Sequence, residues 1–411
     1  MLEARRVYLA HRFAFAFAFT LATSLNLVWQ ASAGLTPLQL ILIGTVLETT
    51  AFLCEIPTGV VADVYSRRLS VIIGLLLYGL GWTLEGSVQA FWAFLLSQVL
   101  WGSGATFISG AHDAWIADEV GEARVGQLYV RGAQMSQLGA LLAIPLAAVL
   151  GSVRLNLPIL VGGLSFFAIA LFLIVAMPER HFRPAPREER STFGQMWHTF
   201  QGGVGVVRGQ PVLVTILLIG AFFGMASEGI DRLSTPHYLS LGLPPLEPLE
   251  PVAWFPLMGF VGALLAIVTN QLIARRVDTA NHRLVSRVLL VLAAGQIVSV
   301  TAFGLAGGFW SALLAGQALG VFRRLLEPLY GAWLNQGIDP RYRATVLSMR
   351  GQVDAFGQIA GGPFIGLVGT WVSLPAALVA SGLILLPALP LFARARGQER
   401  PTPQRSAVPE L

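Results

Sequence analysis

The feature that most constrains this chain is a series of apolar runs, each close to the length one helix needs to cross a bilayer, recurring from position 8 to position 393. A helical span takes about 20 mainly apolar residues. Runs bounded by Arg, Gly and Pro predict spans at 8–30, 38–60, 69–87, 90–118, 127–152 and 156–177, and then at 211–238, 252–274, 284–306, 308–336, 344–370 and 372–393. Of the 411 residues, 55% are hydrophobic and only 12% charged. A soluble domain carries about 25% charged residues, so this chain could not clothe a water-facing surface. Phe13-Ala14-Phe15-Ala16-Phe17 alternates as a strand would, but within one long apolar run only a helix satisfies its own backbone in lipid. The expected fold is an all-α membrane protein with twelve transmembrane helices in two six-helix halves.

Charge placement fixes an expected topology. All 27 basic residues are Arg, and there is no Lys. They gather at every second connection: Arg5 and Arg6, Arg67 and Arg68, Arg124 and Arg131, Arg180 to Arg190, Arg275 to Arg287, Arg341 to Arg350, and Arg394 to Arg405. Arg154 is the exception on the opposite side. This is the positive-inside pattern, and it predicts a multi-pass protein of the plasma membrane with both termini cytoplasmic. The basic charge then reports topology and contact with anionic lipid, not nucleic acid. Arg5-Arg6, the first apolar run and Ala31-Ser32-Ala33 imitate a cleavable leader, but the run is longer than the usual 7–15 residues, so a retained first helix is expected. Cys54 is the sole cysteine, which rules out a disulfide framework or a zinc cluster within one chain. Without Lys there is no phosphate-cradling P-loop. Neither a nucleophile elbow, a metal-ligand cluster nor a dinucleotide fingerprint is present, so no cofactor and no enzymatic activity are expected.

The runs fall into two matched sets. The expected organisation is an N-terminal half at 1–177, a cytoplasmic linker at 178–210, a C-terminal half at 211–393 and a cytoplasmic tail at 394–411. Phe193, Met196, Trp197, Phe200, Val204 and Val207 recur at helical spacing in the linker, as in a helix lying in the interface; a disordered linker fits the composition as well. Pro244, Pro245, Pro248 and Pro251 predict a stiff, extended connection between spans seven and eight. Trp115 and Trp333, Arg131-Gly132 and Arg350-Gly351, Pro145 and Pro363, and Gly151 and Gly369 correspond at one offset of about 218 residues. Four landmarks at one shift indicate a parallel internal repeat.

Between spans two and three lies Gly59-Val60-Val61-Ala62-Asp63-Val64-Tyr65-Ser66-Arg67-Arg68. This segment resembles the G-x-x-x-D-x-x-G-R-R/K motif of the major facilitator superfamily, with Ser66 in place of the usual Gly. The resemblance at fold level runs from 8 to 393, and it implies a transporter with its site between two six-helix halves. In that family the motif latches the halves on the cytoplasmic face, which would make Gly59, Asp63, Arg67 and Arg68 gate elements, with Glu55 close by. Gly59 is expected to permit close helix approach. Arg131 and Arg350, at the cytoplasmic starts of spans five and eleven, are expected to pair with Asp63, Asp118 or Glu119; interfacial anchoring is the plain alternative. The Gly and Pro residues of spans five and eleven match the antiporter motif only loosely, and the family's span-four Arg is replaced by Gln98.

The remaining signal is charge inside the spans. Each such group costs at least roughly 2.5–3.5 kcal/mol at a helix centre, so these residues are candidates for function. Glu48, Asp113, Glu228 and Asp354 are candidate proton carriers, because a carboxyl facing a cavity can bind and release protons as the cavity opens to either side. Arg323, Arg324, Glu327 and Asp231 are candidates for substrate or counter-charge, since Arg offers a fixed fork for carboxylate or phosphate. The structural alternative pairs Glu327 with Arg323 or Arg324, one turn away, and Asp231 with its neighbour Arg232. His112 is read equally as a helix-contact residue or a titrating one. The expected function is secondary transport by alternating access, as proton-coupled export of small organic or amphipathic compounds. Proton-coupled uptake of an anionic metabolite, or a transport-dead receptor or scaffold, are the alternatives. The partners expected are a small-molecule substrate, protons and the lipid bilayer, with the chain working as a monomer.

Overall fold

The structure, a computed structural model, describes residues 3–184, 205, 207, 211–279, 281–336 and 340–397. Among these, ten helices are long and apolar enough to cross a membrane: Ala4–Ala31, Pro37–Val64, Arg67–Ser87, Phe91–Val120, Arg124–Val153, Leu157–Ala176, Pro211–Ser240, Pro251–Ile273, His282–Gly304 and Leu374–Arg396. In chain order these are spans one to nine and span twelve. Spans ten and eleven, Phe309–Asn335 and Pro340–Trp371, run 27 and 32 residues and complete the twelve. They are the less apolar pair because span ten carries Arg323, Arg324 and Glu327, and span eleven carries Arg350 and Asp354. Phe13–Phe17 is helical, as the lipid argument requires. Most of the linker expected at 178–210 and most of the tail from 394 lie outside the described residues.

Local chemistry sets where the helices start and break. Span two opens on a capping box: Thr36 Oγ1 accepts from the Gln39 amide at 3.3 Å, and Gln39 Oε1 accepts from the Thr36 amide at 2.9 Å. Ser66, Asn281 and Ser373 cap spans three, nine and twelve in the same sense. Span four, expected unbroken over 90–118, is two helices, Phe91–Ile108 and Ala111–Val120. Gly110 separates them at φ 71°, a conformation that a β-carbon would strain. The connection between spans seven and eight, expected to be extended, makes a turn at 246–249. The Leu249 amide donates to Leu246 O at 2.8 Å, and a 3₁₀ turn, Pro251–Ala253, follows.

Two compact units result. One holds Met1–Ser191 and Arg232–Val261; the other holds Thr192–Asp231 and Gly262–Leu411. In the first, a β-carbon on Gly74 would lie 2.7 Å from Gly104 O, and one on Gly104 would lie 2.7 Å from Gly74 O. Spans three and four therefore meet backbone to backbone, as small residues allow in lipid. In the second, β-carbons on Gly357 and Gly361 would lie 2.6 Å from Ala221 O and from the Met225 backbone, so span eleven is equally close to span seven. Each unit has an aromatic core, with Trp82, Trp115 and Phe166 buried in the first and Trp333 and Phe392 in the second. Trp115 donates its indole N–H to Pro178 O at 2.6 Å, and Trp333 donates to His282 Nδ1 at 2.8 Å. The matched tryptophans thus do the same work in each unit. Val175 and Leu314 remain more than 70% exposed, as lipid-facing side chains should.

Candidate functional site

Four spans of the second unit converge their polar side chains on one cavity of about 190 Å³. Span seven presents Ser227 and Asp231, span ten Arg323, Glu327 and Tyr330, span eleven Arg350, Asp354 and Gln358, and span nine Gln296. Spacings of three and four residues put each set on one helix face. Arg323 holds Asp231 through two parallel bonds, Nη1 to Oδ1 at 2.5 Å and Nη2 to Oδ2 at 3.0 Å, the bidentate geometry that suits guanidinium and carboxylate. Arg350 pairs with Glu327 and lies 5.0 Å over the Tyr330 ring. Gln358 Nε2 donates to Asp354 Oδ2 at 2.9 Å. Two arginines thus face three carboxylates, and Asp354 is the one without a salt bridge among the described residues. Gln296 is buried, and its Oε1 has no hydrogen-bond partner among the described residues.

These pairs correct the expected ones. Glu327 bonds Arg350 of span eleven, not Arg323 or Arg324 on its own helix, and Asp231 bonds Arg323 of span ten, not its neighbour Arg232. Adjacent positions on a helix point about 100° apart, so Arg324 turns away from the cavity and donates to Gly262 O at 2.9 Å. Glu228 is buried and Glu48 is half-buried; neither lines this cavity.

A second cavity, of about 400 Å³, lies in the first unit between spans one, four and five. It is lined by His11 and Arg12, by His112 and Asp113 just after the Gly110 break, and by Phe15 and Phe19. His11 and His112 approach with ring centroids 4.1 Å apart, and Tyr8 stacks on His112 at 4.9 Å.

Residues 7–297 match the sequence profile of the Major Facilitator Superfamily. The chain belongs to that superfamily. It is therefore a multi-pass membrane protein of the secondary-transport class. The uncharacterized MFS-type transporter YxaM of Bacillus subtilis (strain 168) is 22% identical over 355 residues, 85% of each chain. The fold also matches the solved structure of the nucleoside transporter NupG, with TM-score 0.74 and 12% identity over 97% of this chain and 100% of that one. A bacterial homolog of the human lysosomal transporter Spinster, in an inward-facing and unoccupied conformation, matches with TM-score 0.75 and 16% identity over 96% and 98%.

The superfamily motif after span two is held by its own unit. Arg67 pairs with Asp118 and donates to Ala114 O at 2.7 Å, while Arg68 donates to Ile174 O. Glu179, which the sequence reading passed over, accepts from Ser66 Oγ at 2.6 Å and from the Arg68 amide at 2.9 Å. Ser66 adopts an extended backbone at φ −172°, so no glycine is needed there. Asp63 and Glu55 are exposed, and a β-carbon on Gly59 would meet nothing within 4 Å, so the close approach expected at Gly59 is not made. Arg131 is exposed beside Arg5 and Arg124, and two of the three acids expected as its partners are otherwise engaged: Asp118 by Arg67, and Glu119 by the Arg180 and His181 amides.

Gln98, at the position of the superfamily's span-four Arg, belongs to a closed cluster around Glu85. Glu85 is fully buried and accepts from Gln30 Nε2 at 2.6 Å, Ser97 Oγ at 2.7 Å and Gln98 Nε2 at 3.1 Å. It ties spans one, three and four together.

Proposed function

We propose that this chain is a proton-coupled secondary transporter of small organic, amphipathic compounds, working by alternating access in the plasma membrane with both termini cytoplasmic and as a monomer. The observation that carries the reading is the charged lining of the second-unit cavity. Five charged groups on spans seven, ten and eleven converge there, and in hydrocarbon such a set is stable only around an aqueous, functional space. Asp354 is the carboxyl assigned to the coupling proton, because no cation in salt-bridge reach fixes its charge. Arg323, Asp231, Glu327 and Arg350 form the counter-charge set that reorganises when substrate or proton binds. Energy from the proton gradient suffices: one charge crossing about 100 mV carries about 2.3 kcal/mol, enough for a concentration ratio approaching fiftyfold.

Export against the proton flow is the first direction proposed. A specific observation favours a second, uptake of an organic anion together with a proton. Arg12, on the first-unit cavity, forms no salt bridge among the described residues. Both directions are tested by loading proteoliposomes with a panel of dyes and metabolites and imposing a pH gradient. Substrate moving against the proton flow supports export, and movement with it supports uptake. Asp354→Asn is expected to abolish gradient-driven flux while sparing exchange. Flux that ignores the gradient, or no flux of any compound, would remove the proposal.

A further inference from the structure

The first-unit cavity has buried nitrogen atoms without partners. His11 is 2% exposed, and both its ring nitrogens lack a hydrogen-bond partner among the described residues. His112 is 4% exposed, and its Nε2 is likewise unpartnered. Arg12 Nε, beside them, has no partner either. Buried polar groups are rarely left this way, since each loses its water without replacement. The three residues that carry these atoms all line the cavity.

The geometry also sets the order of charge. Asp113 Oδ1 lies 3.7 Å from His112 Nδ1, which favours a proton on that edge of the ring. In a neutral imidazole the other nitrogen is then a lone-pair acceptor, and it would repel the oxygen of an anion. When Nε2 takes a proton it becomes a donor, and Asp113 offsets the new charge. His11, 4.1 Å away between centroids, would repel a second positive charge, so the pair takes at most one proton. The titratable and charged groups that face this proton are Tyr8, His11 and Arg12 from span one, Asp113 from span four and Tyr129 from span five. Tyr129 donates to Asp113 O at 3.0 Å, and Ser136 Oγ donates to Arg12 O at 3.2 Å, which fixes both neighbours in place.

We propose that His11, Arg12, His112 and Asp113 form a binding site that takes one organic carboxylate and one proton together. The Arg12 guanidinium and the protonated His112 Nε2 receive the two carboxylate oxygens. Phe15 and Phe19, on the same wall, receive an apolar body. Because the anion needs the proton on Nε2, each raises the affinity of the other by the same factor. This deepens the uptake reading above and rests on the chain being a transporter.

The test is a binding measurement on the full chain purified in detergent. Thermal unfolding is followed with acetate, butyrate, benzoate, phenylacetate and phenyl phosphate, and with the amide of each acid, at about pH 6 and about pH 8. At least one carboxylate with an apolar body should raise the unfolding temperature, its amide should not, and the rise should be larger at the lower pH. In lightly buffered solution, binding of that acid should take up about one proton per site. Arg12→Gln should abolish the stabilisation, and His112→Gln should leave a weaker stabilisation without the proton uptake. Carboxylates acting no better than their amides, binding without proton uptake by the unaltered chain, or phenyl phosphate binding in preference would each overturn the proposal. The proton-uptake arm needs no variant, so it decides the matter even where Arg12→Gln fails to fold. Gradient-driven flux in liposomes without carboxylate binding in detergent would sink this site and leave the transport reading standing; the reverse would sink the transport reading alone.

Discussion

The Asp231–Arg323 pair on the second-unit cavity is bidentate, and its energetics follow from what each member does alone. Removing one partner leaves an uncompensated charge near the membrane interior, which is more costly than removing both. Asp231→Asn should therefore lower the initial rate of transport in proteoliposomes by at least about tenfold, a change of about 1.4 kcal/mol. Asp231→Asn combined with Arg323→Gln should recover part of that loss, with a coupling of about 0.5–3 kcal/mol. Losses that simply add would show that the two side chains act separately. Intramembrane charge marked Asp231, Arg323, Glu327 and Asp354 in the sequence, because they stand out against apolar neighbours, whereas Arg350 was expected at the gate and instead pairs with Glu327. Which of them pair was not legible, since helical spacing favours partners one turn away while three different spans supply the actual ones. Glu85 was missed for a related reason. Near the outer end of span three it reads as an interfacial charge, and Gln30, Ser97 and Gln98, which make it a buried cluster, come from two other spans.

Helices and their contacts were more legible than pairs. Apolar length located all twelve spans, and the ends ran past the expected limits where helix formers continue beyond the apolar stretch: span five begins at Glu122 rather than 127, and span eleven at Pro340 rather than 344. The Gly110 break was not legible, because Ser109-Gly110 within an apolar run is compatible with a continuous helix. The new first turn carries His112 and Asp113 to the first-unit cavity. Glycine contacts make a test of helix contact possible. Gly104→Leu would force spans three and four apart and cost at least about 1–3 kcal/mol by overpacking, seen as a lower unfolding temperature in detergent. Gly59→Leu, where the space is open, should leave the unfolding temperature unchanged. Equal effects at the two positions would contradict the backbone-to-backbone contact of Gly74 and Gly104.

For the whole molecule, the internal repeat and the charged cavities belong together. Trp115 and Trp333 are buried at matched positions of spans four and ten in the two units, and each unit turns ionisable side chains toward a cavity of its own. Such charges persist in a membrane only where water reaches them. That accessibility can be measured, because Cys54 is the one native cysteine. In a Cys54→Ser background, single cysteines at Ser227 and Gln358, which line the second-unit cavity, and at Leu314, which faces lipid, would be offered a membrane-impermeant methanethiosulfonate reagent in reconstituted vesicles. Ser227→Cys and Gln358→Cys should react, and Leu314→Cys should not. An unreactive pair of cavity positions, or a Leu314→Cys that reacts as fast as they do, would contradict a water-lined cavity and the transport mechanism built on it.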